Sequence, residues 1–192
     1  MTSIDLETVI DGDGHVFEDA EGISNHLPPR FKERGPFPLS RLFPPLDHLH
    51  SAHIMTLPPG SFEQTGAEGW KQFMTDAAID STVLYPTSAL AYGKIASTEF
   101  AVAVTQAYND WLYEDYLQND ARFKGMALIP MQDPVAAVKE LRRAVEDLGM
   151  CGAMLPSTGL KAHLGSREYW PVFAEAERLG CCIGVHGGCH SG

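Results

Sequence analysis

The sequence predicts an α/β domain with five parallel strands, corresponding to the first part of a (β/α)8 barrel. Short apolar runs recur along the chain, and segments with helical spacing of apolar residues separate them. Strands of this kind are buried on both faces and are joined by right-handed helical crossovers. An open doubly wound sheet usually has a glycine-rich phosphate turn after strand one. Here Gly12-x-Gly14 lacks the third glycine and a helix start, which favours the barrel.

The elements follow from local patterns. The predicted strands are residues 8–12, 81–87, 125–130, 152–156 and 182–185. The predicted helices are residues 70–78, 98–119, 134–148 and 167–179. The third helix has the clearest signals, with Asp133 as its cap, Pro134 in the first turn and Gly149 as its stop. Its apolar face is predicted to contain Val135, Val138, Leu141, Val145 and Leu148.

A proline-rich stretch interrupts this alternation. Residues 18–66 contain several prolines and little periodicity, which predicts an irregular insertion, or lid, outside the core. We treat it as part of a single domain that covers residues 1–192.

Composition limits the classes of partner. The 192 residues are 44% hydrophobic, and 25 acidic against 14 basic side chains give a net charge of −11. This charge would repel nucleic acid and anionic membranes, so we expect a small-molecule or protein partner. No apolar run approaches the length of a bilayer span and no signal-peptide pattern is present, which predicts a cytoplasmic protein. The four cysteines occur late in the sequence and are expected to be reduced.

Three residues at two predicted strand ends carry the chemistry. Asp13 and His15 are two positions apart, so a strand places both side chains on one face. His186 follows the fifth strand, and a barrel brings strand ends into one mouth although His15 and His186 are 171 residues apart. One carboxylate and two imidazoles suit zinc, manganese or iron. A purely structural role for Asp11, Asp13 or His186 stays open at this point.

Other polar residues are weaker candidates. Arg30 and Arg41, within the proline-rich stretch, could bind a substrate carboxylate through bidentate pairs. Four further histidines are expected to be solvated surface or chain-end groups: His48, His50, His53 and His190.

Five segments taken together indicate a family. Residues 9–18, 84–87, 122–130, 152–156 and 185–188 cover five strand ends in order. In sequence and spacing they resemble the amidohydrolase-2 group of the amidohydrolase superfamily, which includes aminocarboxymuconate semialdehyde decarboxylase and gamma-resorcylate decarboxylase. The resemblance covers nearly the whole chain apart from the proline-rich stretch, and it corresponds to the N-terminal part of such proteins.

The resemblance implies a distorted TIM barrel of the metal-dependent hydrolase type, with one divalent metal. Asp13, His15 and His186 match the strand-one pair and the strand-five histidine of its ligand set. The family's strand-six histidine and strand-eight aspartate have no counterpart before Gly192, and no lysine matches the bridge of binuclear members. The implied cofactor is zinc, alternatively manganese or iron.

The implied function is that of a metal-dependent carboxy-lyase acting on a small organic or aromatic carboxylic acid. Hydrolysis of an amide or lactone at the same site is an alternative. A second alternative is a non-catalytic half-barrel that binds a partner through its exposed edge. We expect either a homo-oligomer or a missing C-terminal half, and the activity of these 192 residues alone is in doubt.

Overall fold

The computed structural model describes residues 7–32, 39–45 and 66–188. The strands in these ranges are β1 (Ile10–Val16), β2 (Ser81–Pro86), β3 (Phe123–Leu128), β4 (Gly152–Pro156) and β5 (Cys182–His186). The helices are α1 (Ala20–His26), α2 (Pro29–Lys32), α3 (Leu39–Leu42), α4 (Ala67–Asp76), α5 (Thr98–Leu112), α6 (Pro134–Glu146) and α7 (Trp170–Leu179). Shorter turns are the 3₁₀ segments Ser88–Lys94 and Arg167–Tyr169 and the π-helical segment Tyr113–Leu117.

The strands form a parallel sheet in the order β1-β2-β3-β4-β5. This order confirms the predicted alternation, because each strand pairs with the next one along the chain. Almost every residue of β3 and β4 is buried, whereas the residues of β5 are exposed or half-buried. The sheet therefore has a well-packed centre and a more open edge at β5.

Strand β1 differs most from its prediction. The other four predicted strands agree within two residues, but β1 covers Ile10–Val16 instead of residues 8–12. Pairing of Gly14, His15 and Val16 with β2 extends the strand through polar and glycine positions that an apolar pattern does not identify. Asp13 and His15 consequently lie inside the strand.

Helix α6 begins as predicted, and Val138, Leu141, Val145 and Leu148 of its predicted apolar face pack against the core. The Asp133 carboxylate accepts from the backbone N–H groups of Val135 and Ala136 at 3.0 and 3.1 Å. Val135 is 67% exposed, so the predicted apolar face is wrong at this position. The buried face consists of Ala137, Glu140, Leu141 and Ala144.

A polar network explains why a glutamate occupies that buried face. The Asn109 side chain donates to the Leu128 carbonyl and to Glu140 Oε1 at 2.9 and 2.7 Å, and it accepts from the Leu128 N–H at 2.9 Å. Arg143 donates to Glu140 at 2.7 Å and to Asp110 at 2.6 Å. Because each buried polar group has a partner, the network joins α5, β3 and α6 without an unsatisfied charge.

The proline-rich stretch is partly helical and contributes to the core. Helices α1, α2 and α3 lie within it, and the buried apolar side chains of its described part are Ile23, Leu27, Leu42 and Phe43. The prediction of an irregular insertion outside the core is therefore wrong for the described part of residues 18–66, because tertiary packing stabilises helices too short for a sequence period. His48, His50, His53 and His190 lie outside the described residues. The single domain over residues 1–192 stays a prediction.

Two predictions from composition concern the described residues. None of the helices in the described ranges combines the length and apolar content that a bilayer crossing requires. Cys151, Cys181 and Cys182 are free thiols, in agreement with the expectation of reduced cysteines for this part of the chain.

Candidate metal centre

Asp13, His15 and His186 come together at the C-terminal ends of β1 and β5. The Asp13 Oδ1 atom lies 3.6 Å from His15 Nε2 and 3.4 Å from His186 Nε2. The two imidazole rings meet edge to face with centroids 5.0 Å apart. One ligand atom from each residue lies within 4.8 Å of the others, and the described residues contain no other such group of three.

The curvature of the sheet produces this meeting. Strands β1 and β5 are the two ends of the strand order and do not pair with each other. His15 pairs with Tyr85 on β2, and His186 pairs with Pro156 on β4, so each histidine is held by a neighbouring strand. Side chains separated by almost the whole described sequence thereby reach a common space.

Asp11 and Gly14 shape β1 beside the centre. The pairing of β1 with β2 is irregular between them, as in a β-bulge. Asp11 accepts from Thr82 Oγ1 at 2.8 Å and from the Asp13 N–H at 3.1 Å. A Cβ atom on Gly14 would lie 2.3 Å from Thr82 Oγ1, so the strand requires glycine there. Asp11 thus has the structural role that the sequence left open for it.

Both histidines direct Nε2 towards the Asp13 carboxylate. His15 Nδ1 lies 2.7 Å from the Pro86 carbonyl oxygen, and His186 Nδ1 lies 2.5 Å from that of Gly187. Because a carbonyl oxygen only accepts hydrogen bonds, Nδ1 carries the proton in both rings. A backbone carbonyl thus fixes the orientation of each ring and leaves Nε2 as the atom that could bind a metal, as in metal-binding histidines.

The two separations that involve the Asp13 carboxylate fit ligands of one divalent ion. Metal bonds of about 2.0–2.2 Å to nitrogen and oxygen place two ligands of one ion roughly 3–3.6 Å apart. The separations of 3.4 and 3.6 Å from Asp13 Oδ1 fall in this range. The Asp13 side chain is 71% exposed, against 30% for His15 and 24% for His186, so the group opens to solvent on the carboxylate side.

The amidohydrolase family model matches residues 10–192, which include all five of the described strands. The chain belongs to the amidohydrolase family. This match confirms the resemblance seen in the sequence.

Curated relatives of this amidohydrolase chain include two decarboxylases. It is 35% identical over 114 residues to gamma-resorcylate decarboxylase from Rhodococcus jostii, covering 55% of the chain and 35% of the relative. It is 31% identical over 147 residues to 2-amino-3-carboxymuconate-6-semialdehyde decarboxylase from Dictyostelium discoideum, covering 73% of the chain and 41% of the relative. The chain therefore spans well under half the length of these two relatives.

Solved structures confirm the predicted barrel fold. A 5-carboxyvanillate decarboxylase from Novosphingobium aromaticivorans, in complex with manganese, has a TM-score of 0.67 at 17% identity, covering 94% of this chain and 50% of that one. A dihydroxybenzoic acid decarboxylase from Polaromonas with bound manganese and the inhibitor 2-nitroresorcinol has a TM-score of 0.63 at 20% identity, covering 95% and 50%. At these identities the likeness shows the fold, in which the five strands form half of a barrel.

Tyr85 lies beside the candidate metal centre of this amidohydrolase, and we did not predict it. It pairs with His15 across β1 and β2, and its ring centroid lies 5.6 Å from that of His186 and 6.1 Å from that of His15. Burial, with nearby Cys182 and Asp13, raises the pKa of its phenol above the usual value, so the hydroxyl keeps its proton. The signal in the sequence was its position, one residue before the proline that ends strand two.

Glu18 is a second residue that the sequence did not single out. Its buried carboxylate accepts from three backbone N–H groups at the start of the 3₁₀ turn after β2, with distances of 3.0 Å to Thr87, 3.0 Å to Ser88 and 2.8 Å to Ala89. Burial raises the pKa of Glu18 even though these hydrogen bonds favour the carboxylate. The carboxylate holds the segment that directly follows Pro86, whose carbonyl orients His15.

The structure does not bring Arg30 into contact with the three candidate ligands. Arg30 forms a 2.9 Å ion pair with Glu99 on α5, and its guanidinium lies over the Phe31 ring. Arg41 lies in α3 and is exposed. Substrate binding by either arginine stays a prediction.

Proposed function

We propose that this chain provides the metal centre of a decarboxylase that acts on a small aromatic or enoic carboxylic acid. The observation that carries the proposal is the meeting of Asp13, His15 and His186 at the C-terminal ends of β1 and β5. Active sites of (β/α)8 barrels lie at this end of the strands. The names of the relatives and of the metal-containing structures support the reaction class.

Asp13, His15 and His186 would hold a divalent ion. Zinc, manganese and iron all accept one carboxylate with two neutral imidazoles, and manganese occurs in two of the similar structures. Such an ion supplies Lewis-acid polarisation of a carboxylate or hydroxyl oxygen of the substrate.

The charges of the chain's own residues favour an anionic substrate at this point. One carboxylate and two neutral rings contribute a charge of −1, so these three ligands offset only half the charge of a divalent ion within a chain of net charge −11. An organic carboxylate is therefore attracted to the centre and repelled by the remaining surface. This contrast would help to orient the substrate with its acid group inward.

Tyr85 would orient the substrate in the same site. Its protonated phenol offers a hydrogen-bond donor, and its ring lies beside both histidines. An aromatic acid could pack against this ring in an offset or edge-to-face arrangement. A substrate with a ring hydroxyl beside the carboxyl group, such as 2,6-dihydroxybenzoate, which one similar structure contains, has both features.

The other two functions receive no support. The curated relatives reported above are named as decarboxylases, and neither amide or lactone hydrolysis nor a non-catalytic binding role follows from them. Decarboxylation is therefore the function that we propose for the site.

Metal analysis tests the centre directly. Native purified protein is incubated with manganese or zinc, freed of excess ion and analysed for bound metal. We expect about one equivalent in the native protein, loss of it in His15→Ala and His186→Ala, and retention in His26→Ala, whose ring pairs with Glu114 elsewhere. Undiminished metal in both site variants would overturn the proposal.

A reaction assay tests the chemistry. Carbon dioxide release from 2,6-dihydroxybenzoate and from an aminocarboxymuconate-type acid is measured with the metal-loaded native protein. Release that depends on His15 and His186 supports decarboxylation. Bound metal without release from either acid class would overturn the reaction and leave the metal centre standing.

A further inference from the structure

Three sulfur atoms meet at the other end of the sheet, around the starts of β4 and β5. The Met126 Sδ atom on β3 lies 3.7 Å from the Sγ atom of Cys151 and 3.7 Å from that of Cys182. The Cys182 thiol also donates to the Cys151 carbonyl oxygen at 3.4 Å. We call Met126, Cys151 and Cys182 the sulfur cluster.

The strand register creates the space for this cluster. Met126 pairs with Gly152, and Gly152 pairs with Cys182, so one row of the sheet contains both sulfur-bearing residues with a glycine between them. A Cβ atom on Gly152 would lie 2.6 Å from Cys182 Sγ. The missing side chain therefore allows the Cys182 sulfur to lie across β4 towards Met126.

The two separations from the Met126 sulfur are close to those of ligands in a three-coordinate metal site. Metal–sulfur bonds of about 2.3 Å in a planar three-coordinate site separate the ligand sulfurs by roughly 4.0 Å. Sulfurs that lie 3.7 Å apart need to move by only a few tenths of an ångström to reach that spacing. Two thiolates and a thioether are soft ligands, and they select monovalent copper over the hard divalent ions.

We propose that the sulfur cluster is a binding site for a soft monovalent metal ion, with copper(I) as its ligand. Each thiol releases one proton when it binds, so one copper(I) ion, two thiolates and one thioether form a complex of charge −1. Lys124 on β3 lies close enough for its charge to act on Cys151, and its ammonium group can offset this negative charge. Copper stays monovalent throughout, and no oxidant takes part.

The protons that are released predict a pH dependence. Burial and the neighbouring Cys182 raise the pKa of the Cys151 thiol to about 11, so this thiol is protonated near neutral pH without metal. Release of the Cys151 proton alone strengthens binding by about tenfold for each pH unit in this range.

The sulfur cluster is distinct from the candidate metal centre. Gly184 on β5 lies between them, and a Cβ atom there would lie 2.7 Å from the Tyr85 hydroxyl and 3.3 Å from the Met126 methyl. Tyr85 contacts His186 on its other side. Gly184 and Tyr85 thus lie between the two sites. The sites also differ in their donor atoms, which are oxygen and nitrogen at the candidate metal centre and sulfur at the sulfur cluster. The proposal does not depend on the proposed decarboxylase.

Competitive titration tests the sulfur cluster. The chain with His15→Ala and His186→Ala, which removes the imidazole donors, is titrated without oxygen with copper(I) acetonitrile complex against bicinchoninate. We expect one equivalent of tightly bound copper(I). Met126→Leu should weaken binding by about tenfold or more, and Cys151→Ser or Cys182→Ser by about a hundredfold.

Two matched controls make the titration specific. Cys181→Ser removes the adjacent thiol outside the cluster, and Met154→Leu removes another buried methionine sulfur from the same sheet. Both should leave the affinity unchanged within about twofold. Met→Leu substitutions conserve volume, so these variants keep the comparison valid if a serine variant fails to fold.

Three results would overturn the proposal. One is the absence of stoichiometric copper(I) binding in the parent protein. Another is an equal loss of affinity in Cys182→Ser and Cys181→Ser, or in Met126→Leu and Met154→Leu. X-ray absorption of the copper complex should show three sulfur neighbours at about 2.3 Å, and a shell of nitrogen or oxygen neighbours would also refute it.

Discussion

The Nδ1–H group of His15 donates to the carbonyl oxygen of Pro86 over 2.7 Å, from β1 to the last residue of β2. The same end of β2 continues into the three N–H groups that the Glu18 carboxylate binds. His15 on β1 and Glu18, two residues after β1, therefore hold the end of β2 next to the bond that orients a candidate metal ligand. This relationship leads to the first prediction.

Replacing Glu18 should loosen this strand end. In Glu18→Gln one oxygen still accepts N–H groups, but the amide NH2 faces the Ser88 N–H and leaves it unpaired. We expect a loss of about 1–3 kcal/mol in the free energy of unfolding and a weaker affinity for manganese or zinc. Urea denaturation and metal titration measure the two effects. Glu21→Gln, an exposed position on α1, should change neither.

Two glycines of β1 form a matched pair for the second prediction. A Cβ atom on Gly14 would lie 2.3 Å from Thr82 Oγ1 and 2.8 Å from Asp11 Oδ2, whereas nothing lies within 4 Å of a Cβ atom on Gly12. Gly14→Ala should destabilise the fold by about 1–3 kcal/mol and displace Asp13 and His15, so that metal affinity falls.

Gly12→Ala should leave stability unchanged within about 0.5 kcal/mol. Thermal unfolding and metal titration compare the two variants. Equal behaviour of Gly12→Ala and Gly14→Ala would show that the bulge does not position the candidate ligands.

Tyr85 should affect turnover without affecting the metal. Tyr85→Phe retains the ring beside His15 and His186 but removes the hydroxyl donor. We expect metal affinity within about twofold of native and a decrease of about tenfold or more in kcat/KM for a hydroxylated aromatic acid. Steady-state kinetics of the metal-loaded Tyr85→Phe and native proteins test this prediction. Equal kcat/KM values in the two proteins would exclude the Tyr85 hydroxyl from substrate binding.

Glu175 predicts part of the acid sensitivity of the fold. Hydrogen bonds from Arg178 and Arg142 lower its pKa from 4.5 to about 2. A carboxyl whose pKa is lower in the folded state stabilises the fold fully above its unfolded pKa and progressively less as the pH falls through its folded pKa. The native protein should therefore lose stability between pH 4.5 and about 2.

In Glu175→Gln the free energy of unfolding should fall less steeply as the pH decreases through this range. Added salt should weaken the remaining pH dependence only slightly. Urea midpoints measured across the acid range test the expectation. Glu177→Gln, an exposed position on the same helix, should keep the native profile. A native-like slope in Glu175→Gln would assign the acid sensitivity to other groups.

Much of this architecture is encoded locally. Apolar runs and helical spacing were sufficient to predict β2 to β5, the cap of α6 by Asp133 and the parallel order, because each depends on residues adjacent in sequence. Asp13 and His15 could be assigned to one face because side chains alternate along a strand. The sequence alone also supplied His186 as the third member of the group, from its position after an apolar run.

Tertiary structure decided the remaining features, since these depend on groups far apart in the chain. Pairing with β2 extends β1 beyond its apolar run. Hydrogen bonding to Asn109 allows Glu140 to lie on the buried face of α6. Packing against the core stabilises the short helices within the proline-rich stretch. Sheet curvature, the Pro86 carbonyl and the bulge at Asp11 determined how His15, Asp13 and His186 face one another. A local pattern specifies which face a side chain occupies, but the distance between two faces is determined by the packing of the strands and helices between them.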